Sequence, residues 1–246
     1  MHRFFLTKDQ FEQDKILLKG DTVNQISHVL RLKPADRIIL LDNNGWEYDV
    51  EIEQITREQV KGKVINKKLG QGEPVFKITL YQALLKADKF ELVLQKGVEL
   101  GITELVPYIS ERCVTKKPSD SKVTRWRKIV QEAAEQSERT LLPILHHVVS
   151  FTEACNSIKQ PTLLFWEEEK KKGLKQILQN PTFKSAKSIS IFIGPEGGFP
   201  ASEVQQAKQH GIVVASLGKR VLRAETAGLA AISAILYEKG EMGKNV

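Results

Sequence analysis

The sequence predicts an α/β protein with two parts. Residues 1–72 read as a small β-barrel, and residues 73–246 as a mainly parallel sheet with helices on both faces. Three observations predict this. Short β-branched runs crowd the first part around one helical pattern. From Val75 onward, strands alternate with helices. Two strand–loop–helix units with glycine-bearing loops then follow in tandem. In open α/β sheets, ligands sit at that end of the strands.

Taken in order, Val23, Ile26 and Leu30 repeat at helical spacing, with Asp21 or Thr22 as N-cap. Ile38–Leu41 and Tyr48–Ile52 are strands split by Asn43-Asn44-Gly45, a hairpin signal, and Val60–Ile65 adds another strand. Lys67–Pro74, with Gly70 and Gly72, reads as a linker. Ile78–Leu84 is a strand, Lys89–Leu100 a helix closed by Gly101, and Ile102–Tyr108 a strand. Lys122–Leu141 is a long helix ended by Pro143. Val123, Trp126, Val130 and Ala133 form its buried stripe, and Glu135 and Arg139 an i,i+4 pair. Thr162–Trp166 is a strand, Glu167–Lys172 a solvated helix start, and Leu174–Leu178 a short helix. The first tandem unit is the strand Ser188–Ile193, the loop Gly194–Phe199 and a helix from near Glu203. The second is the strand Val213–Leu217, the loop Gly218–Thr226 and the helix Ala227–Glu238.

Composition narrows the function classes. The hydrophobic content of 41% is that of a globular protein, and no apolar run approaches the roughly 18–20 residues that span a bilayer. The first residues lack a signal peptide's apolar segment, and Cys113 and Cys155 stand far apart with no CxxC, so a cytoplasmic protein without membrane, disulfide framework or metal site is expected. The adjacent pair His146-His147 cannot face one metal ion from a helix or a strand. Dinucleotide (GxGxxG), P-loop (GxxxxGK[ST]) and HExxH signatures are missing. Net charge is +7, and the first 73 residues are balanced at twelve basic and twelve acidic, so the whole excess lies beyond them. This fits a polyanionic partner or plain solubilising charge.

Three stretches carry candidate chemistry. In Gly194-Pro195-Glu196-Gly197-Gly198-Phe199, glycines admit positive φ and close backbone approach, and Glu196 suits a hydroxyl or amine better than a phosphate; a plain strand-to-helix turn is the alternative. In Lys219–Thr226, Arg220, Arg223 and Glu225 crowd one loop. Capping of the next helix by Glu225 and Thr226 is the alternative there, though capping needs no pair of arginines. The stretch Arg112–Lys128 holds seven basic residues against one acid and suits a phosphate backbone, with Trp126 reading as core and Arg125 and Lys128 pointing elsewhere.

At these residues the sequence resembles the RsmE family of small-subunit ribosomal RNA uridine-N3 methyltransferases, in the SPOUT (knotted) superfamily. The resemblance rests on Phe192–Phe199, Leu217–Ala227, Lys96-Gly97-Val98-Glu99-Leu100-Gly101, Glu132–Ser137 with Arg139, His28-Val29-Leu30-Arg31 and Arg3-Phe4-Phe5, in the family's order over nearly the whole chain. Ala224 departs from it, where the family often has threonine. The resemblance implies a trefoil-knot methyltransferase domain behind a PUA-like RNA-binding barrel, a homodimer, and a uridine of the 16S rRNA decoding region as substrate, presented by the small ribosomal subunit. It implies S-adenosyl-L-methionine (SAM) held by Leu164, Gly194, Pro195, Glu196, Gly197, Gly198, Leu217, Gly218, Val221, Leu222, Arg223 and Thr226. Arg223 then suits the stabilisation of a uridine anion, and Glu225 or Glu196 the removal of its proton. RNA contacts are expected from Arg3, His28, Arg31, Lys86, Lys89, Arg112, Lys116, Lys117, Arg125, Lys128 and Arg139. Ribose 2′-O-methylation, or an RNA-binding assembly factor that transfers no methyl, are the competing readings.

Overall fold

The computed structural model describes all residues except 7–9, 13–14, 87, 116, 160 and 244–246, and the backbone alone at 11, 12 and 15. Its contacts form two units, Met1–Glu73 with Ala134–Leu142, and Pro74–Ala133 with Pro143–Val246.

The first unit is a six-stranded half-barrel of β1 (His2–Phe5), β2 (Phe11–Glu12), β3 (Lys15–Lys19), β4 (Arg37–Leu41), β5 (Trp46–Ile55) and β6 (Gln59–Leu69), in the order β1-β4-β5-β6-β3-β2. Only β1 and β4 run parallel among its pairings. Phe4, Leu18, Ile26, Ile38, Leu40, Val50 and Ile52 fill it, each 3% exposed or less. The β4–β5 hairpin turns at Asn43 and Gly45, both at positive φ, while Asp42 accepts the Asn44 and Trp46 N–H groups. The helical pattern becomes α1 (Asp21–Asn24) and one π turn, Gln25–Val29. Its N-cap is Gly20, not Asp21 or Thr22, because the sharp exit from β3 needs the positive φ that Gly20 supplies.

The segment Lys67–Pro74 is not a loose linker. β6 continues to Leu69, and the next glycines serve close packing: a Cβ on Gly70 would overlap Thr140, and one on Gly72 the Glu138 carbonyl. Glu73 accepts hydrogen bonds from the Thr140 and Leu141 N–H groups at 2.8 and 2.9 Å and pairs with Arg139 at 2.8 Å.

The second unit holds β7 (Lys77–Ala83), β8 (Glu104–Ile109), β9 (Ile144–Leu145), β10 (Val149–Ser150), β11 (Thr162–Phe165), β12 (Ser188–Ile193) and β13 (Val213–Ala215). The order is β10-β8-β7-β12-β11-β13 with β9 beside β8, and these pairings are all parallel. Its helices are α2 (Asp88–Leu100), α3 (Asp120–Gln136, whose last residues count with the first unit), α4 (Phe151–Asn156), α5 (Leu174–Leu178), α6 (Pro181–Lys184), α7 (Ala201–Gln209) and α8 (Ala224–Glu238). Strand alternation sets the two faces. Tyr81 and Phe192 stack at 4.3 Å within the cluster under α4 and α7, while Leu80, Gln82 and Ile193 meet Gly228 of α8.

Several boundaries differ from expectation. α3 stops at Gln136 because Glu138 takes φ +60°, so Glu135 and Arg139 do not share a helix, and Glu135 accepts the Phe5 N–H. Trp126 is core, 1% exposed against Phe90. Glu167–Lys172 forms turns rather than a helix start, with the Glu169 carboxylate accepting the Lys171 and Lys172 N–H groups. α7 begins at Ala201, and β13 ends at Ala215. α8 begins at Ala224 with Arg223 as N-cap, its carbonyl accepting the Thr226 and Ala227 N–H groups. Glu225 and Thr226 therefore lie inside the first turn and do not cap it. Among the described residues no helix is long and apolar enough to cross a membrane.

Candidate active site

Both glycine-bearing loops leave the same end of the sheet, where β11, β12 and β13 finish side by side. Between them lies a cleft of about 340 Å³. Gly194, Pro195, Glu196 and Gly198 line one wall. Leu217, Gly218, Val221, Leu222, Arg223 and Glu225 line the other, and Lys89 closes a side. Two glycines are required there: Gly198 sits at φ +69° with Glu167 where a Cβ would go, and Gly218 at φ +109°.

Three predicted cofactor residues are placed differently. Leu164 is fully buried in the core, and its neighbour Phe165 reaches the cleft instead. The open side of Gly197 faces Arg112, whose guanidinium donates to the Gly197 carbonyl at 3.0 Å. Thr226 points out from α8 and is not in the wall. Conversely, Phe165, Trp166 and Glu167 line the cleft without having been predicted for it, and Phe199 and Arg220 of the two candidate stretches line it without having been assigned to the cofactor. Phe165 ends β11, and Trp166 and Glu167 follow it with no glycine signature, so no pattern marks them. Lys89, expected on the RNA surface, belongs to the cleft.

The cleft is charged and incompletely satisfied. Lys89 Nζ lies 3.9 Å from Glu196 Oε1 and 3.6 Å from Glu225 Oε1. The Lys86 N–H donates to Glu196 Oε1 at 3.1 Å. Glu225 is 8% exposed, and among the described residues its Oε2 has no hydrogen-bond partner; neither has the buried indole N–H of Trp166. Buried polar groups left unpaired cost about 1–3 kcal/mol each, so such atoms in a cleft wall point to a ligand.

Behind the glycine loop, Glu203 of α7 accepts the Ser110 hydroxyl at 2.7 Å and the Glu111 N–H at 2.9 Å, next to Arg112. Burial pushes its carboxyl above the usual range, only partly opposed by those bonds. Burial also pushes up the Cys113 thiol, and that of Cys155 to about 12, so neither is a ready thiolate. His146 bonds Glu104 at 2.7 Å, and among the described residues no His, Cys, Asp and Glu cluster could hold a metal ion.

The predicted RNA residues divide. Arg112, Lys117, Arg125 and Lys128 are exposed on the second unit, Arg125 pairing with Glu91 at 2.8 Å and Lys128 with Glu132 at 3.9 Å. Lys86 is exposed too, and Lys116 lies outside the described residues. His28 and Arg31 are exposed on the first unit. Arg3 and Arg139 are not surface residues: Arg3 is buried against Glu47, and Arg139 is 2% exposed against Glu73. Both arginines are spent on internal ion pairs, which removes them from a phosphate-binding surface.

Known proteins share this arrangement. An RNA methyltransferase domain model matches residues 71–236, and an RNA methyltransferase PUA domain model residues 18–65. The ribosomal RNA small subunit methyltransferase E of Bacillus subtilis is 34% identical over 97% of each chain, and that of Mesomycoplasma hyopneumoniae 32% over 93% of this chain and 96% of its own. The crystal structure of the Neisseria gonorrhoeae methyltransferase E, bound to S-adenosyl methionine, superposes with a TM-score of 0.87 at 32% identity, covering 96% of this chain and 97% of that one. With both of its parts matched, and a cleft where the two loops meet, the chain belongs to the ribosomal RNA small subunit methyltransferase E family of RNA methyltransferases.

Proposed function

We propose that the protein transfers the methyl group of SAM to N3 of a uridine in the decoding region of 16S rRNA, in the assembled small ribosomal subunit. The observation that carries this reading is the cleft between two glycine-bearing loops, lined by the buried carboxylate Glu225, whose Oε2 has no hydrogen-bond partner among the described residues. Its volume falls in the ~300–1,000 Å³ range of small-molecule sites. The backbone around Gly198 and Gly218, with the unpaired Trp166 N–H, fits the cofactor. Gly194, Pro195, Glu196 and Gly198 with Leu217–Leu222 would hold it, and once bound it supplies an activated sulfonium methyl.

The rest falls to this chain. Uridine N3 carries a proton and is a poor nucleophile until that proton leaves. Taking it onto Glu225 breaks no hydrogen bond at Oε2. Arg223, exposed at the rim, offsets the negative charge spread over O2, N3 and O4. Because N3 lies on the pairing edge, the base reacts unpaired. Lys86, Arg112, Lys117, Arg125 and Lys128 contact phosphates from the second unit, and His28 and Arg31 from the first. A homodimer working in the cytoplasm completes the reading; exposed Val221 beside the cleft, 81% accessible, and Tyr237 of α8, 71%, support the dimer.

The test is incubation of the protein with labelled SAM and unmodified small subunits, naked 16S rRNA in parallel, followed by mass spectrometry of digested RNA. N3-methyluridine at one decoding-region position, formed on the subunit, is expected. Label on a ribose would replace the reading with 2′-O-methylation, and unlabelled RNA with an assembly factor.

A further inference from the structure

We infer that Arg112 is a positioning residue of the cofactor cleft: its guanidinium pins the Gly197–Gly198 peptide and so holds the first loop in the shape that forms the cleft wall. This rests on the reading of the Gly194–Phe199 loop as a wall of the SAM site. A Gly–Gly peptide is the link in a chain most easily turned over, because neither residue has a Cβ to restrict its backbone. This one is held at both ends. The Gly197 carbonyl accepts from Arg112 Nη1 at 3.0 Å, and the Gly198 N–H donates to the Pro195 carbonyl at 3.0 Å. The second bond closes a turn within the loop. The first reaches it from a residue 85 positions earlier in the chain. Turning the peptide over would redirect its N–H and carbonyl next to Gly198, which lines the cleft at φ +69°.

Packing agrees with the hydrogen bond. A Cβ on Gly197 would stand 3.2 Å from Arg112 Cβ and 3.7 Å from its Cδ, so the arginine stem lies along the bare face of the glycine. The missing side chain of Gly197 makes room for Arg112 rather than for the cofactor. Arg112 is itself fixed at its base. The Ser110 hydroxyl and the Glu111 N–H donate to Glu203 of α7 at 2.7 and 2.9 Å, and the Cys113 N–H donates to the Ser110 carbonyl at 3.0 Å. α7 is also the helix that follows the loop, so the turn carrying Arg112 and the loop it grips are anchored to one helix. The bond to Gly197 uses one guanidinium nitrogen, and the others can hold a phosphate at the same time.

The test compares Arg112→Met, which keeps the stem and removes the donors, and Arg112→Lys, which keeps a cationic donor, with the parent. SAM affinity is measured by calorimetry on the free protein, without RNA, so that phosphate contacts play no part. Arg112→Met should weaken it about tenfold, the low end for a charged donor because the side chain is exposed. Arg112→Lys should restore most of it, since one carbonyl needs one donor and not a bidentate fork. Gly197–Gly198 is the one Gly–Gly peptide in the sequence, so combined ¹³C-carbonyl and ¹⁵N glycine labelling singles out the Gly198 amide. That resonance should show exchange broadening in Arg112→Met, and none in the parent or in Arg112→Lys. Unchanged SAM affinity in Arg112→Met overturns the inference and leaves Arg112 a phosphate contact alone. Weakened affinity with an undisturbed Gly198 amide overturns it as well. If Arg112→Met fails to fold, Arg112→Gln, neutral and shorter, carries the same expectations. The underlying reading fails separately: SAM that binds the parent without moving any glycine resonance of the loop sits elsewhere, whatever Arg112 does.

Discussion

Glu203 is the residue whose environment most clearly sets a pH dependence. Burial raises its carboxyl above the ordinary value, so the folded chain holds that proton to higher pH than the unfolded chain. Its contribution to stability is full below the unfolded value and is lost as pH rises through the folded one. Glu203→Gln can keep both contacts, accepting the Glu111 N–H and donating to the Ser110 hydroxyl. Its melting temperature should gain on the parent as pH rises from about 4 to 7, and a pH-independent difference would refute this. Arg223→Ala should keep SAM affinity and lose about 10²–10³ in kcat, as removal of a single charge-stabilising donor does; calorimetry and single-turnover rates separate the two effects. At this scale the sequence was legible where residue type alone carries the chemistry, as at Gly198, Gly218 and Glu225. It was not legible for Lys89, whose partners are remote in the chain, nor for Arg3 and Arg139. An arginine's letter reports its charge and not its burial.

Among the elements, the segment after α3 is held in part by a buried ion pair, Arg139 with Glu73. Glu73→Ala removes a carboxylate partner of the buried Arg139 guanidinium and the acceptor of the Thr140 and Leu141 N–H groups, and should cost up to about 3–5 kcal/mol in urea unfolding of the whole chain. Adding Arg139→Met should recover part of that loss, since an apolar replacement for a buried pair is often tolerated. The exposed face of α3 and the loop before it make a separate prediction. Lys117→Glu with Arg125→Glu and Lys128→Glu should weaken RNA binding and lower its salt slope by about 2, read from binding isotherms across a salt series. Strands were legible here by their β-branched runs, β12 from end to end. Helix ends were legible where the usual boundary residue stands, as at Leu100 before Gly101, but not at α3 and α8. α3 stops at a left-handed glutamate, and α8 starts on an arginine with no side-chain cap, so neither carries the usual residue at its boundary.

For the whole molecule, the alternation of strand and helix made the parallel sheet readable, while the order of its strands was beyond any local pattern. β12 enters the middle of the sheet after β7, β8 and β10 have been made, and β11 and β13 lie beyond it. If the protein works as a dimer through the exposed apolar side chains of Val221 and Tyr237, then Val221→Asp with Tyr237→Glu should sediment as a monomer at concentrations where the parent does not. The sheet order also has a consequence in time. The contact between Lys86 and Glu196 joins residues 110 apart, and Glu225 arrives later still, on the final helix. Non-local contacts of this kind form slowly, and domains begin to fold during synthesis. A nascent chain can therefore finish its half-barrel and the first strands of its sheet while owning no catalytic cleft at all. Competence comes as a late event, when α8 docks against α2.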